Sequence, residues 1–181
     1  MKRGVQPELL DTLPTGDPRA VRSRRDLRRV NGWMRHHAIM AETLQKTLPG
    51  RALKSIAELG AGDGTFLLRV AQAVSPKFPA VKATLLDRQN IVSAGTLAAF
   101  AVHGWPAQAV TADVFDWLQT SGDCEAVIAN LFLHHFDDAR LTELLRLISR
   151  RAKLFIALEP RRAPWPLLCS RMLWAIAYWK Q

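Results

Sequence analysis

From Arg19 to about Leu48 the apolar residues Val21, Leu27, Val30, Met34, Ala38, Ala41 and Leu44 recur mostly three or four apart, with arginines between them. That spacing is one face of a helix, and Pro49-Gly50 stops it. Ahead of it, residues 1–18 carry Pro7, Pro14, Gly16 and Pro18 among polar residues and read as an irregular leader. The pattern then alternates. Ser55 to Leu59 predicts a strand, Thr65 to Val74 a helix with Phe66, Val70 and Val74 on one face, and Val81 to Leu86 a strand. Ile91 to Val102 reads as helix, Gln108 to Ala112 as strand, Phe115 to Gln119 as a short helical turn, and Ala126 to Leu131 as strand. Asp138 to Arg151 is a helix with Leu141, Leu144, Leu145 and Ile148 facing one way, and Lys153 to Leu158 is a fifth strand. Such alternation implies βαβ crossovers. The expected fold is therefore α/β: a doubly wound, mainly parallel sheet with helices on both faces and ligands outside the carboxyl ends of its strands. The chain divides into a leader and basic cap helix at 1–50, a sheet domain at 51–160, and an aromatic helix at 161–181.

Composition narrows this little. The 181 residues are 49% hydrophobic and 23% charged, which suits one globular domain and excludes a disordered or fibrous chain. The net charge of +9 is more informative when divided: residues 1–35 carry +5, residues 36–139 carry −3, and residues 140–181 carry +7. A mildly acidic middle is not the continuous basic footprint that a nucleic-acid backbone requires, so nucleic acid is not the expected partner. Cys124 and Cys169 lie far apart, without a CxxC or a Cys/His cluster. Neither a disulfide framework nor a zinc site is expected, and a reducing, cytoplasmic setting is. The N-terminus shows no apolar core of a signal peptide, and Trp165 to Trp179, interrupted by Arg171, is short for a membrane span.

The candidate chemistry starts at Glu58-Leu59-Gly60-Ala61-Gly62-Asp63-Gly64-Thr65, where the first strand meets its helix. Alternate glycines permit a tight turn with positive φ and a close backbone approach to a ligand, and the helix start supplies unpaired N–H groups. A dinucleotide loop, GxGxxG, would need glycine where Thr65 stands. The spacing is GxGxG, and with Glu58 two residues ahead it resembles motif I of the class I, Rossmann-like methyltransferases that use S-adenosylmethionine.

That resemblance covers roughly residues 30–160 and carries further expectations. Asp87, at the end of the second strand, would accept hydrogen bonds from the ribose hydroxyls, with Arg88 beside the adenosine; the plainer alternative is a helix cap, which Asn90 could also supply. Asp113 and the backbone of Val114 would select adenine, against the alternative that Asp113 only caps the next helix. Glu58, Gly60, Ala61, Gly62, Gly64, Asn130 and Leu131 complete the expected cofactor site. Asn130-Leu131-Phe132-Leu133-His134-His135-Phe136 looks like the fourth motif of members that methylate small molecules. Either His134 or His135 would take a proton from the acceptor, and the sequence treats the two alike. No metal is expected. Asp137-Asp138 reads as the cap of the following helix.

The basic helix from Arg22 to His37 precedes the first strand as cap helices do in the resembled family. After Glu159-Pro160 only 21 residues remain, too few for the helix and antiparallel hairpin with which seven-stranded members end. The sheet is therefore expected to lack that hairpin. Two readings stand for the aromatic segment: a chain truncated from a longer one, which we favour, or a helix that covers the open edge, docks on a partner or a membrane surface, or forms a homodimer. The leading functional expectation is methyl transfer from S-adenosylmethionine to oxygen or carbon of a phenolic or polyketide-like small molecule. An RNA methyltransferase and a noncatalytic partner subunit are the alternatives.

Overall fold

In the computed structural model, which describes residues 17–18, 35–50 and 52–159, the elements run α1 (His36–Thr47), β1 (Ser55–Leu59), α2 (Thr65–Val74), β2 (Lys82–Asp87), α3 (Ala94–Val102), β3 (Ala107–Thr111), α4 (Val114–Thr120), β4 (Cys124–Asn130), a 3-10 turn (Leu133–His135), α5 (Asp138–Arg151) and β5 (Ala152–Leu158). The five strands form one sheet in the order β3-β2-β1-β4-β5. Every pairing is parallel. Most of the leader, most of the expected cap helix, Cys169 and the aromatic segment 161–181 lie outside the described residues.

Strand alternation divides the core in two, because successive side chains leave opposite faces of a sheet. Ile56, Ala83, Leu85, Ala126 and Ile128 pack against Met40, Ala41 and Leu44 of α1, Leu67, Val70, Ala71 and Val74 of α2, and Phe100 of α3. Ala57, Leu59, Leu86, Val127 and Ala129 face the other way, against Val114, Phe115 and Leu118 of α4 and Leu144, Leu147 and Ile148 of α5. Helices thus cover both faces. Burial on both faces is what allows an all-parallel sheet to persist in water. In α5 the buried face includes Leu147, and Leu145 is 40% exposed, contrary to the sequence reading.

Caps set the helix boundaries. Ser93 accepts from the Thr96 N–H and starts α3 three residues later than the sequence suggests. Asp137 accepts from the Arg140 N–H and caps α5, as expected. The end of α3 is a Schellman turn: Gly104 N–H donates to Ala101 O at 3.0 Å and Trp105 N–H to Phe100 O at 3.1 Å. Gly104 has φ +71°, and a Cβ there would run into the Pro79 carbonyl oxygen. Trp105, fully buried, donates from its indole to Phe78 O at 2.8 Å and locks the same corner. Gly104→Ala should therefore destabilise the chain by about 2–4 kcal/mol, since the left-handed conformation and a backbone clash add. In thermal melts that is a fall of roughly 5–15 °C; an unchanged melting temperature would mean the corner does not hold the domain together.

Candidate active site

A parallel sheet points all its carboxyl ends at one edge, and the polar residues of this chain gather there. Leu59 pairs with Leu86 on one side and with Ala129 on the other, so Gly60, Asp87 and Asn130 are the next positions on three adjacent strands. Asp87 pairs with Thr111, two residues before Asp113, and Asn130 pairs with Leu158, one before Glu159. Along the sheet the row reads Asp113, Asp87, the glycine turn, Asn130, Glu159. Between β1 and β4 the strand order reverses, which is where α/β sheets open a crevice.

The turn at 60–64 is held from β2. Ala61 N–H donates to Leu86 O at 2.9 Å, and Gly62 N–H donates to Asp87 Oδ2 at 2.7 Å. Asp87 Oδ1 accepts from Gln89 N–H at 2.9 Å. Its carboxylate thus faces the glycine turn, and the cap of α3 belongs to Ser93 rather than to Asp87 or Asn90. Gly60 has φ +70°, and a Cβ there would strike the Phe132 ring, so only glycine brings β1 this close to the segment after β4. At Gly62 no atom lies within 4 Å of where a Cβ would sit, so the turn is open there. Gly64 and Ala61 are bonded to each other across the turn, Gly64 N–H to Ala61 O at 2.9 Å. Asp63 Oδ1 accepts from the Thr65 hydroxyl and N–H, fixing the first turn of α2.

Beneath the turn lies Glu58, 2% exposed, with an oxygen that finds no hydrogen-bond partner among the described residues. Burial pushes its carboxyl well above the usual carboxylate range; the Leu67 amide opposes this, and the charges of Asp63 and Asp87 add to it. A carboxyl raised on folding keeps its proton in the native state after the unfolded chain has released its own, above about pH 4.3. Stability should therefore fall as pH rises from that point toward the folded-state value, with the native state the better proton binder. Glu58→Gln should flatten this part of the profile. Urea midpoints taken across the range would show it, and parallel slopes for both proteins would refute it.

On the other side of β1, the chain turns sharply after Asn130. Leu131 adopts φ +53° and donates its N–H to Leu158 O at 2.9 Å. The next two amides, of Phe132 and Leu133, both donate to Glu159 Oε1, at 2.8 and 2.6 Å. Glu159 Oε2 lies 3.1 Å from His134 Nδ1. Burial pushes the Glu159 carboxyl up, but the His134 hydrogen bond and the Leu133 and Phe132 amides outweigh it and hold it below the usual range. A charged Glu159 can only accept, so His134 carries a hydrogen on Nδ1. The His134 and His135 rings lie 4.2 Å apart, and His135 is edge-on to Phe132. Geometry thus separates two histidines that the sequence treats alike.

The remaining expected residues are less committed. Asp113 accepts from Phe115 N–H at 2.9 Å, so it does cap α4, and Val114 is buried just behind it. Arg88 follows Asp87 and is exposed. Two further residues, which the sequence pattern does not single out, join this edge. One is Glu159, although an acid one position past a strand of a parallel sheet belongs on this edge. The other is His36, whose Nδ1 lies 2.9 Å from Asn130 Oδ1. A separate depression of about 420 Å³, lined by Leu118, Gln119, Leu147, Arg150 and Arg151, opens at the carboxyl ends of α4 and α5 and contains none of these residues. Among the described residues no helix is long and apolar enough to cross a membrane, and no cluster of His, Cys, Asp and Glu could hold a metal ion.

Comparison with known proteins bears on the family and the fold. Residues 19–154 match the model of the O-methyltransferase domain. Among solved structures, an O-methyltransferase family protein from Burkholderia thailandensis superimposes with TM-score 0.59 at 19% identity, over 78% of this chain and 42% of that one. The plantazolicin methyltransferase BpumL in complex with SAH gives 0.54 at 17% identity, over 79% of this chain and 55% of that one. Magnesium protoporphyrin IX methyltransferase (ChlM) from Synechocystis PCC 6803 with bound SAH gives 0.55 at 17% identity, over 77% of this chain and 61% of that one. At these identities the likeness is one of fold, and the chain spans about half the length of these structures. No curated protein sequence matches. The match of the family model over most of the sequence shows that the chain belongs to the O-methyltransferase domain family.

Proposed function

We propose that the chain binds S-adenosylmethionine at the carboxyl edge of its sheet and serves methylation of a small phenolic or polyketide-like molecule, at oxygen. The observation that carries this reading is the Asp87 carboxylate facing the Gly62 amide at 2.7 Å, across a glycine turn that is open at Gly62. The residues fit an adenosyl group: Asp87 offers two carboxylate oxygens to a ribose diol, and Asp113 with the Val114 amide stands one strand further out, where an adenine ring would reach. Glu58 lies under the turn with an oxygen unpartnered among the described residues and would support the amino-acid end, together with Asn130. Bound S-adenosylmethionine supplies an electrophilic methyl group on a good leaving group, which leaves the protein the tasks of alignment, water exclusion and proton removal.

Those tasks fall to the segment after β4. His134, with its Nδ1 hydrogen on Glu159, has Nε2 as the base for an acceptor hydroxyl, and the carboxylate stabilises the imidazolium that results. Phe132 and His135 supply apolar and aromatic surface beside it. Four partly exposed carboxyl groups, Asp63, Asp87, Asp113 and Glu159, lie along this edge, which supports a small-molecule acceptor over a polyanionic strand. Calorimetric titration of the chain with S-adenosylhomocysteine tests the reading: saturable one-site binding is expected, and a folded chain that gives no binding heat at several temperatures refutes it.

A further inference from the structure

We propose that His36 is a positioning residue that presets the Asn130 carboxamide as a hydrogen-bond donor in the site, an inference that rests on the functional reading above. His36 opens α1 and is 8% exposed; Asn130 closes β4, 94 residues away. Their contact, Nδ1 to Oδ1 at 2.9 Å, has its polarity set by the histidine tautomer. With Oδ1 as the partner, the proposed tautomer carries its hydrogen on His36 Nδ1, since a carboxamide oxygen accepts and never donates. With its oxygen engaged, Asn130 has its NH2 left to offer a ligand.

A carboxamide free to turn over could present either end, because its two orientations fill nearly the same space. In the tautomer protonated at Nδ1, His36 removes that choice before any ligand arrives. The donor arrangement favours a ligand that brings an oxygen acceptor to this strand end, a carboxylate, carbonyl or phenolate, and disfavours one that brings only donors. Preorganised dipoles of this kind need no rearrangement at the moment of binding. The histidine is itself placed by packing: Met40, Ala41 and Leu44, on the turns that follow it, are buried against α2 and the sheet. α1 is therefore anchored by packing of its own beside the amide contact.

Two substitutions separate this role from simple packing. His36→Leu fills the space without a donor, whereas His36→Asn restores an N–H close to where Nδ1 stood. Affinity for S-adenosylhomocysteine and the KM for a phenolic acceptor should be measured for both, with the histidine ring nitrogens and the Asn130 side-chain amide followed by 15N NMR in the unsubstituted chain. We expect the His36 ring protonated at Nδ1, and His36→Leu to weaken one of the two binding constants by roughly 3–10-fold, the worth of one hydrogen bond. His36→Asn should recover to within about twofold, well inside that range. The role is overturned if the ring is protonated at Nε2 alone, if His36→Leu leaves both constants unchanged, or if the two variants lose binding equally. Absence of S-adenosylhomocysteine binding by the unsubstituted chain would instead remove the functional reading, and this role with it.

Discussion

Asp87→Ala is expected to weaken S-adenosylhomocysteine binding by at least about 100-fold, since two hydrogen bonds to a charged group are worth roughly 1.5–3 kcal/mol each. The carboxylate has two tasks. In the structure it holds the glycine turn through the Gly62 amide and its own loop through the Gln89 amide. In the complex its oxygens would meet the ribose hydroxyls. Because Asp87 is half-buried at the sheet edge, outside both apolar clusters, its loss should leave the fold in place. Asp87→Asn keeps one acceptor oxygen and should fall between the two. Calorimetry on the three proteins, with circular dichroism to confirm folding, checks the order; equal affinities for all three would take Asp87 out of the site.

His134→Ala should reduce kcat by about 100- to 10,000-fold with a phenolic acceptor, the usual contribution of a placed general base. Affinity for S-adenosylhomocysteine should move little, because the imidazole touches the acceptor side. Glu159→Gln is the more discriminating change. It keeps the size of the side chain and an oxygen for the Phe132 and Leu133 amides, but removes the charge that orders His134 and steadies its protonated form. A loss in kcat with a shifted pH profile is expected, whereas His135→Ala should retain most of the rate. If His135→Ala instead proves as damaging as His134→Ala, the Glu159 contact does not mark the base.

The parts of the fold readable in the sequence are those set by local pattern. β1, α2 and α5 begin and end where periodicity and turn residues put them, and the other strands shift by one or two positions. The glycine turn and the placement of Asp87 beside it were readable for the same reason: both lie within a few residues of a strand end. Leu145 and Leu147 show where pattern fails. Both lie within reach of the stripe through Leu141, Leu144 and Ile148, and only packing against the sheet decides which is buried. Asp113 was open between a cap and a ligand contact, and its bond to Phe115 N–H establishes the first without testing the second. The His36 contact with Asn130 had no local signal, because its partners meet only when α1 folds back over the sheet.

The most direct test of the account is a crystal structure of the chain with S-adenosylhomocysteine. It should place the ribose hydroxyls on the two carboxylate oxygens of Asp87, the adenine beside Asp113 and Val114, and the amino-acid end over the glycine turn near Asn130. A ligand seated elsewhere, such as the depression between Leu118 and Arg151, with the Asp87 carboxylate left on Gly62 alone, would contradict it.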